Sequence, residues 1–196
     1  MFIMWIAMMV AMMLPSAAPM ILLFGTVYHS RRARGDEFVS TGVFLSGYIA
    51  IWIVFAGVAT LVQWGLHAAT LLSPMMVSTS NILSGILLVT AGLYQWSHLK
   101  YVCITHCRSP LGFLMTDWRE GNSGALFMGI RHGGFCLGCC WVLMSLLFVL
   151  GVMNLVWIAA LAVFVLIEKM LPQRRWMSCA SGFVLITAGI WKTLGT

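Results

Sequence analysis

Six stretches of this chain are apolar over the length needed to cross a bilayer, and almost every charge falls between them. A membrane-crossing helix needs about 20 mostly apolar residues. The stretches run Phe2–Val27, Phe38–Trp64, Thr79–Leu99, Phe135–Gly151, Leu155–Leu171 and Ser178–Leu194. The fourth can begin earlier, because Asn122–His132 reads as an amphipathic or interfacial approach, and Gly151–Asn154 reads as a tight turn. Charged residues make up 8% of the chain and hydrophobic ones 61%, against about 25% charged in a soluble domain. With so little charge the apolar surface must face lipid. The expectation is an all-α integral membrane protein of about six transmembrane helices, forming a single transmembrane domain over 1–196. The first stretch carries no cleavage pattern and is retained as structure. Met1 lies at its edge, which leaves room for a further segment upstream.

Basic residues orient the spans. Arg31, Arg32 and Arg34 follow the first, Lys100, Arg108, Arg119 and Arg131 the third, and Lys169, Arg174 and Arg175 the fifth. The connections after spans two and four carry no Lys or Arg. Cytoplasmic loops are enriched in positive charge, so loops one, three and five are expected inside and both termini outside. The basic residues form no single patch, which argues against a nucleic-acid partner. Glu168, beside Lys169 at the cytoplasmic end of the fifth span, reads as half of an interfacial ion pair, with an ion relay as the alternative.

An internal repeat suggests how the spans are grouped. Ser84–Tyr94 (SGILLVTAGLY) aligns without a gap to Ser181–Trp191 (SGFVLITAGIW). Span three then corresponds to span six, and the chain becomes two three-helix halves, about 1–100 and 122–196, joined by a cytoplasmic loop over about 100–121. An odd number of spans per half inverts one half relative to the other, an arrangement common in transporters, whose sites lie between repeats and on broken helices. Pro15 and Pro19 mark such a helix break in the first span, because each removes a backbone donor.

Two motifs share one ligand spacing. Cys103, His106 and Cys107, like Cys136, Cys139 and Cys140, stand at i, i+3 and i+4, and His132 lies four residues before Cys136. On a helix those positions share a face. The basic loops put all of them toward the cytoplasmic side, where thiols stay reduced. Thiolate with imidazole suits Cu(I), or alternatively Zn(II). In the first span Met8 and Met12, like Met9 and Met13, stack four apart, and such thioethers could form a path for Cu(I) through lipid depth.

Three segments carry a family resemblance: Trp5–Met20 (WIAMMVAMMLPSAAPM), Ala91–Pro110 (AGLYQWSHLKYVCITHCRSP) and Gly133–Trp141 (GGFCLGCCW). Together they resemble a bacterial group called predicted metal-binding integral membrane proteins. The resemblance implies a metal, copper first, on Cys103, Cys107, Cys136, Cys139 and Cys140, with first-span methionines contributing. The leading expectation is a metal-binding protein of the bacterial cytoplasmic membrane that transports Cu(I) or hands it over through a cytoplasmic-side Cys/His cluster. The alternatives are a thiol-redox electron carrier, disfavoured because the first span lacks cysteine, and a membrane subunit or assembly factor delivering metal to a partner enzyme. Partners in these readings are the lipid bilayer, the metal ion, and a metallochaperone, a metalloenzyme or a second copy of the chain. No nucleotide-binding or aspartyl-phosphate motif is present, which argues against an ATP-driven pump.

Overall fold

Backbone groups that enter an apolar medium must pair within their own segment, and runs of Leu, Ile, Val, Met and Ala do so as α-helix. The structure, a computed structural model, describes residues 1–32, 41–70, 80–171 and 175–194. Among them the regular elements are all helical: α1 (Phe2–Arg32), α2 (Thr41–Ala68), α3 (Asn81–Gln95), α4 (His98–Arg108), α5 (Pro110–Asp117), α6 (Gly121–Ser145), α7 (Leu147–Leu150), α8 (Leu155–Met170) and α9 (Arg175–Leu194). Four runs are long and apolar enough to cross a membrane: Phe2–Val27, Thr41–Ala68, Gly121–Leu150 and Trp176–Leu194. A fifth arises if α3 and α4, which meet at a 63° bend, count as one broken span. At 16 residues α8 is shorter than these runs. The expected span starts at Phe38 and Thr79, and the orienting residues Arg34 and Arg174, lie outside the described residues.

Three local expectations meet the structure differently. The turn at Gly151–Asn154 is present: Gly151 takes φ 95°, and the Asn154 side chain caps α8 by accepting from the Val156 and Trp157 amides. At Pro15 and Pro19, by contrast, α1 does not break. Each proline deletes one ladder bond, and the bonds on either side carry the helix through. The fourth span also changes. Its helix starts at Gly121 rather than Phe135, because Asn122–His132 is drawn into helix by close packing on α2. A β-carbon on Gly129 would lie 3.2 Å from the Tyr48 amide nitrogen, and one on Gly133 would lie 3.2 Å from the Tyr48 carbonyl oxygen. Glycine permits that approach, and α2 and α6 run parallel here, with Phe44 and Tyr48 beside Gly129 and Ile51 beside Gly133.

Packing divides the chain into two compact units, Met1–Ala59 with Val102–Gly138, and Thr60–Tyr101 with Cys139–Thr196. In the first unit, α1 turns one face inward. Trp5, Met9, Met12, Met13, Ala17, Met20 and Phe24 are all buried, at the three-to-four-residue spacing of one helix face. Its lower part joins Phe44, Phe113, Leu114, Ala125 and Met128 in a core cluster, with the Phe24 ring stacked on Phe44 at 4.7 Å. Helix α5 lies against α1 to complete it.

The second unit is built on α3 and α9, which pack closely along each other. They pack antiparallel through glycines. A β-carbon on Gly92 would lie 2.6 Å from the Gly182 carbonyl oxygen, and one on Gly85 would lie 2.8 Å from that of Gly189. The repeat matches Gly85 to Gly182 and Gly92 to Gly189, so these two contacts exchange with each other under the repeat. The side contacts follow suit. Ile186 meets Gly92 as its repeat equivalent Val89 meets Gly189, and Trp96 meets Gly182 as its equivalent Thr193 meets Gly85. Glycine lets the two backbones approach closely, and van der Waals contact along that approach holds the pair together.

Candidate functional site

The soft donors of the first unit gather around α6, but on two sides of it. On one side, the Tyr48 hydroxyl on α2 donates to the Met13 carbonyl at 3.1 Å and lies 3.2 Å from Cys136 Sγ. One buried hydroxyl thus joins the methionine-rich α1 to the cysteine-bearing α6. His132, one turn before Cys136, is buried among three rings, with centroids at 5.6 Å to Phe113, 5.9 Å to Tyr48 and 6.1 Å to Phe44. Ser16 also donates to the Met13 carbonyl, at 2.9 Å.

The other side of α6 faces α4. A β-carbon on Gly138 would come 2.7 Å from Cys103 Sγ, so the Cys103 thiol is lodged against the α6 backbone. His106 stacks flat on Phe135 with centroids 4.5 Å apart, and its Nδ1 lies 2.9 Å from the Val102 carbonyl. Two residues along a helix turn it by about 200°, so the Cys136 and Gly138 sides point in nearly opposite directions. That rotation explains why, among the described residues, no three Cys, His, Asp or Glu side chains converge into one ready-made metal site. The seven residues expected as ligands, Cys103, His106, Cys107, His132, Cys136, Cys139 and Cys140, are distributed over α4 and α6. Cys139 and Cys140 are buried on the α6 turn that belongs to the second unit, and Cys107 is half-buried on α4. All six cysteines are thiols.

The longer α6 also changes where Cys136 stands along its helix. With Gly121–Leu150 as one apolar run, Cys136 falls midway along it rather than at its start. Met13 likewise falls midway along Phe2–Val27. Of the four path methionines, Met9, Met12 and Met13 are fully buried and Met8 is half-buried.

A second polar centre, which sequence reasoning missed, lies in the second unit. Glu168 pairs with Lys100 and is buried rather than interfacial: Nζ is 2.8 Å from both carboxylate oxygens, with the two side chains only 2% and 4% exposed. The remaining ammonium proton goes to the Gln95 carbonyl oxygen, and the Ser178 hydroxyl donates to Glu168 at 3.3 Å. Removing one partner of such a buried pair costs about 3–5 kcal/mol. The sequence signals were Glu168 near the end of one apolar run and a lysine directly after another, with nothing in the sequence to pair them. Tyr48, a hydroxyl inside an apolar helix, was the corresponding overlooked signal in the first unit.

These features define a class: an all-helical chain with membrane-length apolar runs, a buried methionine face on α1 and buried thiols on α4 and α6. The chain belongs to the family described as PpoB2, copper chaperone, which matches residues 2–192. No curated protein and no solved structure matches it.

Proposed function

We propose that the chain is a membrane-embedded Cu(I) handover protein in which copper is cargo, passed between pairs of soft ligands rather than held in one cage. The observation that carries this reading is the Tyr48 hydroxyl joining the Met13 backbone to the Cys136 thiol, which brings the buried methionine face of α1 beside a cysteine of α6. Cu(I) is a soft d10 ion stable with two or three sulfur ligands, and thiolate and thioether favour it over harder divalent ions. Two-ligand stations on opposite sides of α6 fit transfer better than storage, since an ion held by few ligands leaves readily. The family's description as a copper chaperone supports the choice of metal.

In this reading the spans are six, arranged as two inverted three-helix halves in the bacterial cytoplasmic membrane with both termini outside. The reciprocal glycine contacts of α3 and α9 support the inversion, because an antiparallel pair whose contacts exchange under the repeat has the pseudo-two-fold symmetry that inverted halves require. Delivery to a partner metalloenzyme or to a soluble chaperone is the expected end of the path.

The test is Cu(I) content after anaerobic loading in nanodiscs, with Cys103/Cys107 and Cys136/Cys140 each changed to Ser. Each pair is expected to lower the copper bound per chain, and the two pairs together to abolish it. Undiminished copper in the quadruple variant overturns the reading.

A further inference from the structure

The second polar centre sits at a corner of the fold. Helix α3 ends at Gln95 and α4 starts at His98 with its axis turned by 63°. Ser97 caps the new helix by accepting the Lys100 amide at 3.2 Å. From that first turn the Lys100 ammonium reaches back to the last residue of α3, Gln95, and across to Glu168 near the end of α8. All three of its protons have acceptors, and Ser178 on α9 ties the same carboxylate to a fourth helix. A charge pair this buried in an apolar bundle is weak evidence for stability, since apolar residues of similar size could replace it. Intramembrane ionisable residues mark function by default. Cys103 lies one turn beyond Lys100 on the same helix.

We infer that the Lys100–Glu168 pair is a latch that fixes the bend between α3 and α4 and so positions the Cys103 and Cys107 thiols. Without it, α3 and α4 together satisfy the requirements for one span, and the corner keeps the Ser97 cap and the Trp96 indole bond to the Cys179 carbonyl but loses its tie to α8. Lys100 and Glu168 touch no metal in this scheme; they are positioning residues. The role as metal stations of the thiols they position rests on the copper reading above, whereas the latch itself does not.

The test reads each cysteine separately, by mass spectrometry after timed maleimide alkylation of the metal-free full chain in nanodiscs. Glu168→Gln is expected to raise the Cys103 alkylation rate about tenfold while leaving Cys136 unchanged. The charge swap K100E/E168K is expected to bring Cys103 back toward the native rate. Equal acceleration of Cys103 and Cys136 would signify general loosening and overturn the latch, as would an unchanged Cys103. Where E168Q does not fold, K100M/E168L removes both charges and leaves none buried alone. Raised Cys103 reactivity in that folded variant supports the latch, and native reactivity overturns it. Cu(I) competition then separates the two claims. E168Q is expected to weaken binding about tenfold, and to have no effect once Cys103 and Cys107 are Ser. A native protein that takes up no Cu(I) would sink the copper reading while the alkylation result still decides the latch.

Discussion

At the residue scale, Tyr48 has one proton and two neighbours that could use it. The Met13 carbonyl can only accept, so the hydroxyl proton goes there, and the Cys136 thiol is left to donate to the Tyr48 oxygen. Tyr48→Phe deletes both hydrogen bonds while keeping the ring against His132, and Ser16 still satisfies the Met13 carbonyl. With a net worth of about 1 kcal/mol per bond, Y48F is expected to lower stability by about 1–2 kcal/mol in a reversible unfolding titration from mixed micelles. A loss below the error of that measurement would mean the bonds are incidental. His106 and His132 make a parallel point. Both were singled out by spacing alone, but one is stacked on Phe135 at the surface of α6 and the other is enclosed by three rings. Spacing says which face a residue occupies and nothing about what that face meets.

At the scale of elements, glycine decides which helices touch. Gly92→Ala and Gly189→Ala each put a methyl group within 2.8 Å of an opposing atom across the α3–α9 contact. Overpacking of this kind costs about 1–3 kcal/mol. Gly65 in α2 is the control. A β-carbon there meets nothing within 4 Å, so Gly65→Ala should stabilise by about 0.5–1 kcal/mol through helix propensity alone. The two sets of variants should move in opposite directions in one unfolding assay. If all three behave alike, the glycine contact is not what holds α3 to α9. The same physics explains why α6 outran its expected start. Apolar content from Phe135 onward marked the obvious span, whereas Gly129 and Gly133, which look like helix breakers in isolation, earned their place by letting α2 approach.

For the molecule as a whole, the apolar runs are not equally enclosed. Of the apolar window in Gly121–Leu150, 56% is buried, against 11% in Trp176–Leu194. In water the exposed face of α9 would be a large unpaired apolar patch; in a bilayer it faces solvent of its own kind. The proposed topology makes a direct prediction. A reporter active only outside the cytoplasm should be active when fused after Leu194 or inserted between α2 and α3, and silent when inserted at Ser109. Activity at Ser109 would reverse the orientation derived from the basic loops.

The sequence by itself determined the helical class, the turn at Gly151–Asn154 and the apolar character of the long helices, because each follows from hydropathy and chain-local chemistry read along one line. Membership of a copper-related family was likewise legible in the motifs. Only the tertiary structure decided that Cys136 pairs with Tyr48 and that Cys103 packs on the opposite side of α6. It alone revealed that Glu168 is buried against Lys100. The reason is rotational. A helix turns about 100° per residue, so neighbours in sequence face different partners. Which partner each face meets is set by where glycines let backbones approach, and that is a property of pairs of helices that no single segment carries.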